Sequence, residues 1–179
     1  MGKNILILSG SPRKGATTDS LVGAFIEGAR SAGNTVTNVR VAGLKIGGCL
    51  GCNHCFEDES QCVQKDDMAQ IIDKLKESDA LVFASPIYFF GLTAQIKLAI
   101  DRTYALLREG TPVKRAALLL TCGADSPDVT EPAIAMFRAM ANYQQWAEAG
   151  VVVAHGLHKP DDLKGRPELE QARQLGVNI

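Results

Sequence analysis

The chain has 179 residues, of which 46% are apolar, and its formal net charge at pH 7 is −1. This length predicts one domain, residues 1–179, with no need for disulfide bonds. The near-zero charge gives no sign of a basic face, so we expect no nucleic-acid partner. The first apolar run, Ile5 to Leu8, is too short for a membrane span or a signal segment. We therefore expect a cytoplasmic protein with no membrane partner.

Apolar runs of strand length alternate with stretches of helical period along the chain. This alternation predicts an α/β fold, a three-layer doubly wound sheet of five parallel strands in the order 2-1-3-4-5. The five predicted strands are Asn4 to Leu8, Thr35 to Val41, Ala80 to Ala84, Ala116 to Leu120, and Val151 to Ala154. Helix starts are predicted at polar capping residues, namely Thr17 and Thr18, Asp66 and Asp67, and Thr93.

The loop after the first strand has the composition of a phosphate site. It offers hydroxyls, backbone N–H groups, one guanidinium and a helix N-terminus, which together favour a dianion. The candidate residues are Ser9, Ser11, Arg13, Thr17 and Thr18. A nucleoside-triphosphate loop is disfavoured because Ala16 stands where its lysine would be, and the G-x-G-x-x-G dinucleotide pattern is absent. A single phosphate monoester fits better, although a plain Gly/Ser loop entering a helix remains an alternative.

A second loop, Ser85 to Gly91, follows the third strand and carries three consecutive aromatic residues. It should lie at the same sheet edge as the first loop, where ligands bind in such folds. Because exposing three aromatics without a partner is unfavourable, we expect them to line a site or a subunit contact. The alternative is a hydrophobic loop that packs on its own domain.

Several short motifs together resemble the NADPH-dependent FMN reductases and their iron–sulfur flavoprotein relatives. The resemblance covers about residues 4 to 125 and implies a flavodoxin-like fold. The motifs are Gly10-Ser11-Pro12-Arg13-Lys14, Asp66-Asp67-Met68, Ser85-Pro86-Ile87-Tyr88-Phe89, and Lys97 followed by Asp101-Arg102.

This resemblance implies a set of flavin mononucleotide (FMN) contacts. The first loop would hold the phosphate through Ser11, Arg13, Thr17 and Thr18, with Ala16 a departure from the serine that is common in the family. The ring and ribityl chain would contact residues of the second loop and of the fourth strand's end, namely Pro86, Ile87, Tyr88, Phe89, Gly91, Thr121 and Gly123. Lys97, Asp101 and Arg102 would be structural, and no side chain stands out as a catalytic acid or base.

Four cysteines are crowded into a cysteine-rich loop at about residues 47–65. Cys49, Cys52, Cys55 and Cys62 form the pattern C-x2-C-x2-C-x6-C. The spacing suits a cuboidal cluster and resembles the motif of iron–sulfur flavoproteins, which implies a [4Fe–4S] cluster. An empty, reducible site and a structural zinc site remain alternatives, the latter disfavoured by the compact spacing. We expect His54 to be a loop residue and Cys122 to be a buried, inert thiol.

The resemblance predicts an FMN-dependent NAD(P)H oxidoreductase. A reduced nicotinamide, NADH or NADPH, would give a hydride to the flavin, and the electrons would pass, with or without a cluster, to an unidentified acceptor. One alternative is an electron carrier that ferredoxin reduces, without nicotinamide turnover. Another is a zinc-binding protein without flavin. The aromatic loop and the cysteine loop further predict a homodimer or homotetramer with FMN near the subunit contact.

Overall fold

The computed structural model describes residues 2–57 and 61–179. The predicted cysteine-rich loop at 47–65 is thus described except for residues 58–60, which lie outside the described part. The strands are β1 Asn4–Ser9, β2 Thr35–Arg40, β3 Ala80–Tyr88, β4 Gly91–Leu92, β5 Arg115–Thr121 and β6 Ala147–Ala154. The α-helices are α1 Thr17–Ser31, α2 His54–Glu57, α3 Met68–Lys76, α4 Ala94–Arg102, α5 Glu131–Tyr143 and α6 Pro167–Asn178. Short 3₁₀ turns span Val41–Gly43, Thr103–Leu106, Pro127–Val129 and Pro160–Leu163.

The α/β prediction is confirmed, but the predicted count of five strands is wrong. Five strands pair in parallel in the order β2-β1-β3-β5-β6. Among the described residues there is a sixth strand, β4, which pairs antiparallel with the end of β3 through Ile87 and Leu92. The segment after Ala84 thus forms a hairpin where the sequence predicted a loop.

Strand β3 is longer than predicted because it continues to pair with β5 after its pairing with β1 has ended. The pairing with β1 ends at Ala84, whereas Ser85 and Pro86 continue beside Leu120 and Thr121 of β5. Proline cannot donate a ladder hydrogen bond and is tolerated at such an edge. Strand β6 also begins earlier than predicted, at Ala147, with a register shift against Ala116 and Ala117 that the sequence does not signal.

Two apolar clusters cover the two faces of the sheet. Helices α1 and α6 enclose one cluster around Phe25, and α3, α4 and α5 enclose the other around Phe83 and Phe137. The two long helices on the first face approach closely at Gly28, where a Cβ atom would lie 1.9 Å from the backbone oxygen of Arg173. No helix in the described part of the chain has both the length and the apolar composition to cross a bilayer.

The predicted helix caps differ from the observed ones. Helix α1 begins after Ala16, which supplies no side-chain cap, and Thr93 makes no cap bond to α4. Of the two aspartates before α3, Asp66 accepts a hydrogen bond from the Met68 N–H at 3.1 Å. The Asp67 carboxylate instead accepts one from the Lys45 N–H at 2.7 Å. Asp66 therefore bonds the start of α3 as predicted, whereas the Asp67 carboxylate and the Thr93 hydroxyl bond loop residues.

Candidate functional site

A cleft of about 330 Å³ opens at the carboxyl ends of β1, β3 and β5. This is the edge at which doubly wound sheets bind ligands. Nine of the twelve residues predicted from the sequence line it, namely Ser11, Arg13, Thr17, Thr18, Pro86, Ile87, Tyr88, Thr121 and Gly123. Two loops far apart in sequence and the end of a third strand therefore meet in one cavity.

The three remaining predicted residues do not line the cleft. Ser9 is buried at the end of β1, and its hydroxyl has no hydrogen-bond partner among the described residues. Phe89 is fully exposed at the tip of the β3–β4 hairpin, and Gly91 begins β4. The prediction that these three residues contact the ligand is therefore not supported by the lining of the cleft.

The first loop is held in place by β3 and by Thr93, the residue that precedes α4. Gly10 donates a backbone hydrogen bond to Ala84 of β3 at 2.8 Å, and its carbonyl accepts one from the Thr93 hydroxyl at 2.8 Å. A Cβ atom at Gly10 would lie 2.6 Å from that hydroxyl and 2.8 Å from the Cβ of Ile96. Only glycine allows this approach, so the position of the loop depends on it.

Arg40, at the end of β2, holds the same loop from the side. Its guanidinium donates to the carbonyl oxygens of Ser11 at 2.7 Å and Arg13 at 3.2 Å. It also bonds the carboxylate of Asp19, which in turn accepts the Gly15 N–H at 2.7 Å. Arg40 is not among the site residues predicted from the sequence, because nothing in the pattern at this strand end indicates a contact with a loop 25 or more positions away.

The mouth of the cleft is suited to an anion. Helix α1 starts there without a side-chain cap. The Asp19 N–H bonds the Ala16 carbonyl at 2.9 Å, and the preceding N–H groups of Thr17 and Thr18 are available to a ligand. Arg13 lines the cleft, is exposed, and has no acidic partner in the part of the chain that the structure describes. The positive end of the α1 dipole and the Arg13 guanidinium therefore both lie at the mouth of the cleft, where they favour an anion.

The floor of the cleft joins α1 to β5. The hydroxyls of Thr18 and Thr121 are 2.7 Å apart, and both side chains are buried. Cys122, Leu157 and His158 also line the cleft and were not predicted as site residues. Cys122 is buried, as expected, but it is part of the site wall. His158 follows β6, whose carboxyl end lies at this edge of the parallel sheet, but no motif indicates that this residue contacts a ligand.

The aromatic loop forms a two-residue hairpin with an unusual turn. Phe89 and Phe90 have φ values of 48° and 64°, which is the left-handed conformation required at both central positions of a type I′ turn. Asn-Gly is the preferred pair there, and bulky residues are strained. Tyr88 and Phe90 are about half exposed beside the fully exposed Phe89. The hairpin thus presents three aromatic rings next to the cleft.

The four cysteines of the motif lie in one region but do not converge. Cys49 and Cys52 are exposed, Cys62 is half-buried and Cys55 is buried in α2. Burial raises the pKa of the Cys55 thiol, and the neighbouring Cys62, Cys49 and Cys52 raise it further against a lowering by a backbone hydrogen bond. Within residues 2–57 and 61–179, no three His, Cys, Asp or Glu side chains form a metal-binding group.

Arg102, the last residue of α4, holds the start of the cysteine-rich loop at residues 47–65, called the cysteine segment below. Its guanidinium donates two hydrogen bonds to the Asp66 carboxylate, at 2.8 and 3.0 Å, and one to the Gly47 carbonyl at 2.9 Å. The expectation that Arg102 is structural agrees with these contacts. Lys97 and Asp101 form an exposed ion pair one turn earlier, so their contribution to stability is small.

The charges around Arg102 follow from this network. Burial alone would raise the pKa of Asp66, but the hydrogen bonds from Arg102, Gly47 and Met68 outweigh it and hold that pKa below its usual value. Burial would likewise lower the pKa of Arg102, yet Asp66 and the neighbouring Cys62 thiol raise it. Cys62 therefore lies beside a permanent positive charge.

Comparison with known proteins identifies the family. Residues 3–156 match the family model of the NADPH-dependent FMN reductases. The chain belongs to this family. It is accordingly an FMN-reductase-type oxidoreductase, as the sequence motifs predicted.

Curated relatives of this FMN reductase family member include iron–sulfur flavoproteins. One from Archaeoglobus fulgidus is 31% identical over 172 residues, which is 95% of this chain and 76% of that protein. Another, from Methanosarcina thermophila, is 34% identical over 107 residues, 60% of this chain and 56% of that protein. The chain thus spans little more than half of the second relative.

Solved structures give the fold of this family member. An NAD(P)H:quinone oxidoreductase from Methanothermobacter marburgensis superposes with a TM-score of 0.76, over 99% of this chain and 97% of that one, at 20% identity. At this identity the likeness establishes the fold alone, and it agrees with the flavodoxin-like architecture expected from the sequence.

The two groups that the family implies differ in how well the observed residues suit them. The residues of the cleft suit FMN. The uncapped helix start and Arg13 are suited to bind its phosphate, and the aromatic side chain of Tyr88 is suited to contact its ring system. The four thiols are the donor set of an iron–sulfur cluster. As they lie here, however, they do not bring three ligands together, and no electron-transfer step can be derived through them.

Proposed function

We propose that the chain binds FMN in the cleft between β1, β3 and β5 and acts as an NAD(P)H-dependent oxidoreductase. The single observation that carries this proposal is the convergence of the two predicted loops on one cavity. Ser11, Arg13, Thr17 and Thr18 would bind the phosphate. The ring would lie between residues 86–88 and residues 121–123, which include the last residue of β5 and the two that follow it.

Bound FMN would supply the redox chemistry by accepting a hydride from a reduced nicotinamide. The protein's part is positioning. Arg40 and Thr93 hold the phosphate loop, the Thr18–Thr121 pair sets the distance between α1 and β5, and Pro86 and Ile87 form an apolar wall. These residues bind and orient the flavin, and no acid or base is assigned among them.

Anaerobic mixing of FMN-loaded protein with NADH and, separately, NADPH tests this function. We expect the visible absorbance of the flavin to bleach with at least one donor. The acceptor can then be sought among quinones, nitro compounds, metal ions and proteins by following reoxidation. A flavin that stays oxidised with both donors, although it is bound, would exclude nicotinamide-dependent turnover.

A second proposal concerns the cysteines. Cys49, Cys52, Cys55 and Cys62 are proposed to hold a [4Fe–4S] cluster, which would make the chain an iron–sulfur flavoprotein. Support comes from the spacing, from the Arg102 charge beside Cys62, and from the names of relatives such as the Archaeoglobus fulgidus protein. In this role ferredoxin could replace the nicotinamide as the electron donor.

Iron and sulfide analysis of anaerobically purified protein tests the cluster. About four iron and four sulfide per chain are expected for a [4Fe–4S] cluster, falling sharply in Cys55→Ser. Cys122→Ser is the matched control, because Cys122 lies in the cleft and outside the motif. Protein that contains flavin but no iron would leave the cysteines as a reducible thiol site, and stoichiometric zinc would support the zinc alternative.

We also propose that the chain forms a homodimer or homotetramer in the cytoplasm. The proposal is supported by the exposed rings of Tyr88, Phe89 and Phe90 beside the cleft, which form an apolar tip that a second subunit can cover. The five cysteines are free thiols, which agrees with a reducing compartment. Sedimentation of the FMN-loaded protein as a monomer would contradict the assembly.

A further inference from the structure

The loop after β6 brings a histidine to the FMN cleft. His158 lines the cleft together with Cys122 and Gly123, which follow β5. Its ring lies directly beside Gly123, because a Cβ atom built at that glycine would be 3.7 Å from both the Nδ1 and the Cε1 atoms of the imidazole. The side chain is exposed, so a ligand in the cleft can reach it.

Hydrogen bonds on both sides of His158 fix the backbone of this loop. The Leu157 N–H donates to the Cys122 carbonyl at 2.9 Å, which joins the loop to the segment after β5. The N–H groups of His158 and Lys159 both donate to the Asp162 carboxylate, each at 2.7 Å. The backbone at His158 is therefore held at this edge of the cleft before any ligand binds.

The imidazole of His158 has no hydrogen-bond partner of its own in the described part of the chain. The other histidine of this loop, His155, has its Nδ1 3.3 Å from the Ala124 carbonyl oxygen, whereas the ring of His158 makes no such contact. Among the described residues that line the cleft, none has a carboxylate. An imidazolium at this position is therefore available to pair with an anionic ligand.

Several titratable or charged groups surround His158. They lie on the first loop, on the β3–β4 hairpin, after β5 and on the same loop as His158, namely Arg13, Tyr88, Cys122, Asp125, Lys159 and Asp162. The backbone hydrogen bonds from Lys159 and His158 hold the pKa of Asp162 below its usual value, so it remains a carboxylate above pH 5. Histidine is the side chain whose charge ordinarily changes between about pH 5 and pH 8.

The charge of the flavin ring changes when it is reduced. A hydride from a reduced nicotinamide brings two electrons and one proton to N5 and leaves the oxidised nicotinamide behind. The added electron pair places a negative charge along the N1 and C2-carbonyl edge of the ring. Charge near this edge is one means by which a protein tunes the flavin. A cation beside Gly123 would therefore stabilise the reduced ring more than the oxidised one.

We propose that His158 contacts the flavin and sets the reduction potential of bound FMN, by pairing its imidazolium with the negative edge of the reduced ring. The inference rests on the proposed FMN site and deepens it, because it assigns control of the potential to a residue outside both predicted loops. Protonated His158 makes the bound flavin easier to reduce below about pH 6, and this effect is lost above about pH 8.

Equilibrium reductive titration of the FMN-loaded protein against an indicator dye, without any nicotinamide, tests the proposal. At pH 6 we expect His158→Gln to bind oxidised FMN within a factor of two of the unmodified protein and reduced FMN at least tenfold more weakly. A tenfold difference lowers a two-electron potential by about 30 mV. At pH 8.5 the potentials of the two proteins should correspond to a difference below twofold.

Three further variants isolate the imidazolium. His158→Arg keeps a permanent positive charge, so its raised potential should persist at pH 8.5. His155→Gln removes a histidine of the same loop, and Lys159→Gln removes a neighbouring charge. Both of these positions lie outside the lining of the cleft. Each should change the ratio of reduced to oxidised FMN affinity by less than twofold at either pH.

The outcomes separate this inference from the proposed function. Equal potentials of the unmodified protein and His158→Gln at pH 6, a difference that persists at pH 8.5, or an equal effect of His155→Gln would each overturn the role of His158 and leave FMN binding intact. Equal weakening of oxidised and reduced FMN would also overturn it. Failure of the unmodified protein to bind FMN would contradict the proposed function, and this inference with it.

Discussion

Ala16 is the residue where this chain departs from the pattern expected of its phosphate loop. It occupies the cap position of α1, lines the cleft and offers no hydroxyl. Ala16→Ser should add a hydroxyl that donates a hydrogen bond to the bound phosphate, a contribution of about 0.5–1.5 kcal/mol. We expect the FMN dissociation constant, measured by quenching of flavin fluorescence, to fall severalfold.

Ala94→Ser is the matched control for this change. Ala94 is exposed at the start of α4 and does not line the cleft. Its substitution should leave the FMN dissociation constant within a factor of two. Equal effects of the two substitutions would show that Ala16 has no special relation to the phosphate.

A second prediction at the residue scale concerns how the hydroxyls of Thr18 and Thr121 are coupled in the free energy of unfolding. Each hydroxyl is buried, so Thr18→Val leaves the Thr121 hydroxyl without a partner, and the reverse holds for Thr121→Val. An unsatisfied buried hydroxyl costs about 1–3 kcal/mol, whereas removing both partners costs much less than the sum. Urea unfolding of both single variants and the double variant measures this coupling. Additive losses would contradict it.

The ion pair between Asp66 and Arg102 determines how the cysteine segment is attached to α4. Because the folded state holds the pKa of Asp66 below its ordinary value of 3.8, the pair stabilises the fold above that pH and loses its contribution as the pH falls through the lower, folded value. We expect Asp66→Asn to lower the free energy of unfolding by up to about 3 kcal/mol at pH 7. The difference from the unmodified protein should shrink between pH 4 and pH 2.

Asp101→Asn is the control at this scale, since it breaks the exposed pair with Lys97. Its cost at pH 7 should be below about 1 kcal/mol. Denaturant unfolding across the pH range measures both variants. A constant Asp66→Asn difference from pH 7 to pH 2 would show that the carboxylate charge is not what holds the segment.

A substitution in the β3–β4 hairpin should raise the free energy of unfolding and weaken subunit association. Replacing Phe89-Phe90 by Asn-Gly supplies the preferred residues for a type I′ turn, so the free energy of unfolding should rise by about 1 kcal/mol or more. The same change removes two exposed rings. If the tip lies in a subunit contact, sedimentation should show weaker association despite the greater stability. Unchanged association would exclude the tip from the contact.

At the scale of the whole molecule, the sequence predicts the central strands of the sheet better than the ends of its strands and its hairpin. Buried strands such as β1 and β5 are continuous apolar runs, so their position and parallel pairing can be inferred directly. Ser85 and Pro86 are typical of a loop, and only the neighbouring β5 makes them strand. The hairpin and the early start of β6 depend on pairing partners, which a local pattern does not contain.

The same limit applies to the site. Loops with an evident chemistry could be located from the sequence, and nine of their residues meet in the cleft. Arg40 and His158 could not, because each reaches the site through the fold from a segment with no motif. The cysteine spacing predicts a ligand set, but the described arrangement does not gather it.

The central claim is that the first loop binds the phosphate of FMN, and parallel titrations with FMN and riboflavin test it most directly. Riboflavin keeps the ring and ribityl chain and lacks the phosphate. We predict one FMN per chain, bound at least 100-fold more tightly than riboflavin, a difference of about 2.7 kcal/mol. Equal affinities, or no binding of FMN, would contradict the account.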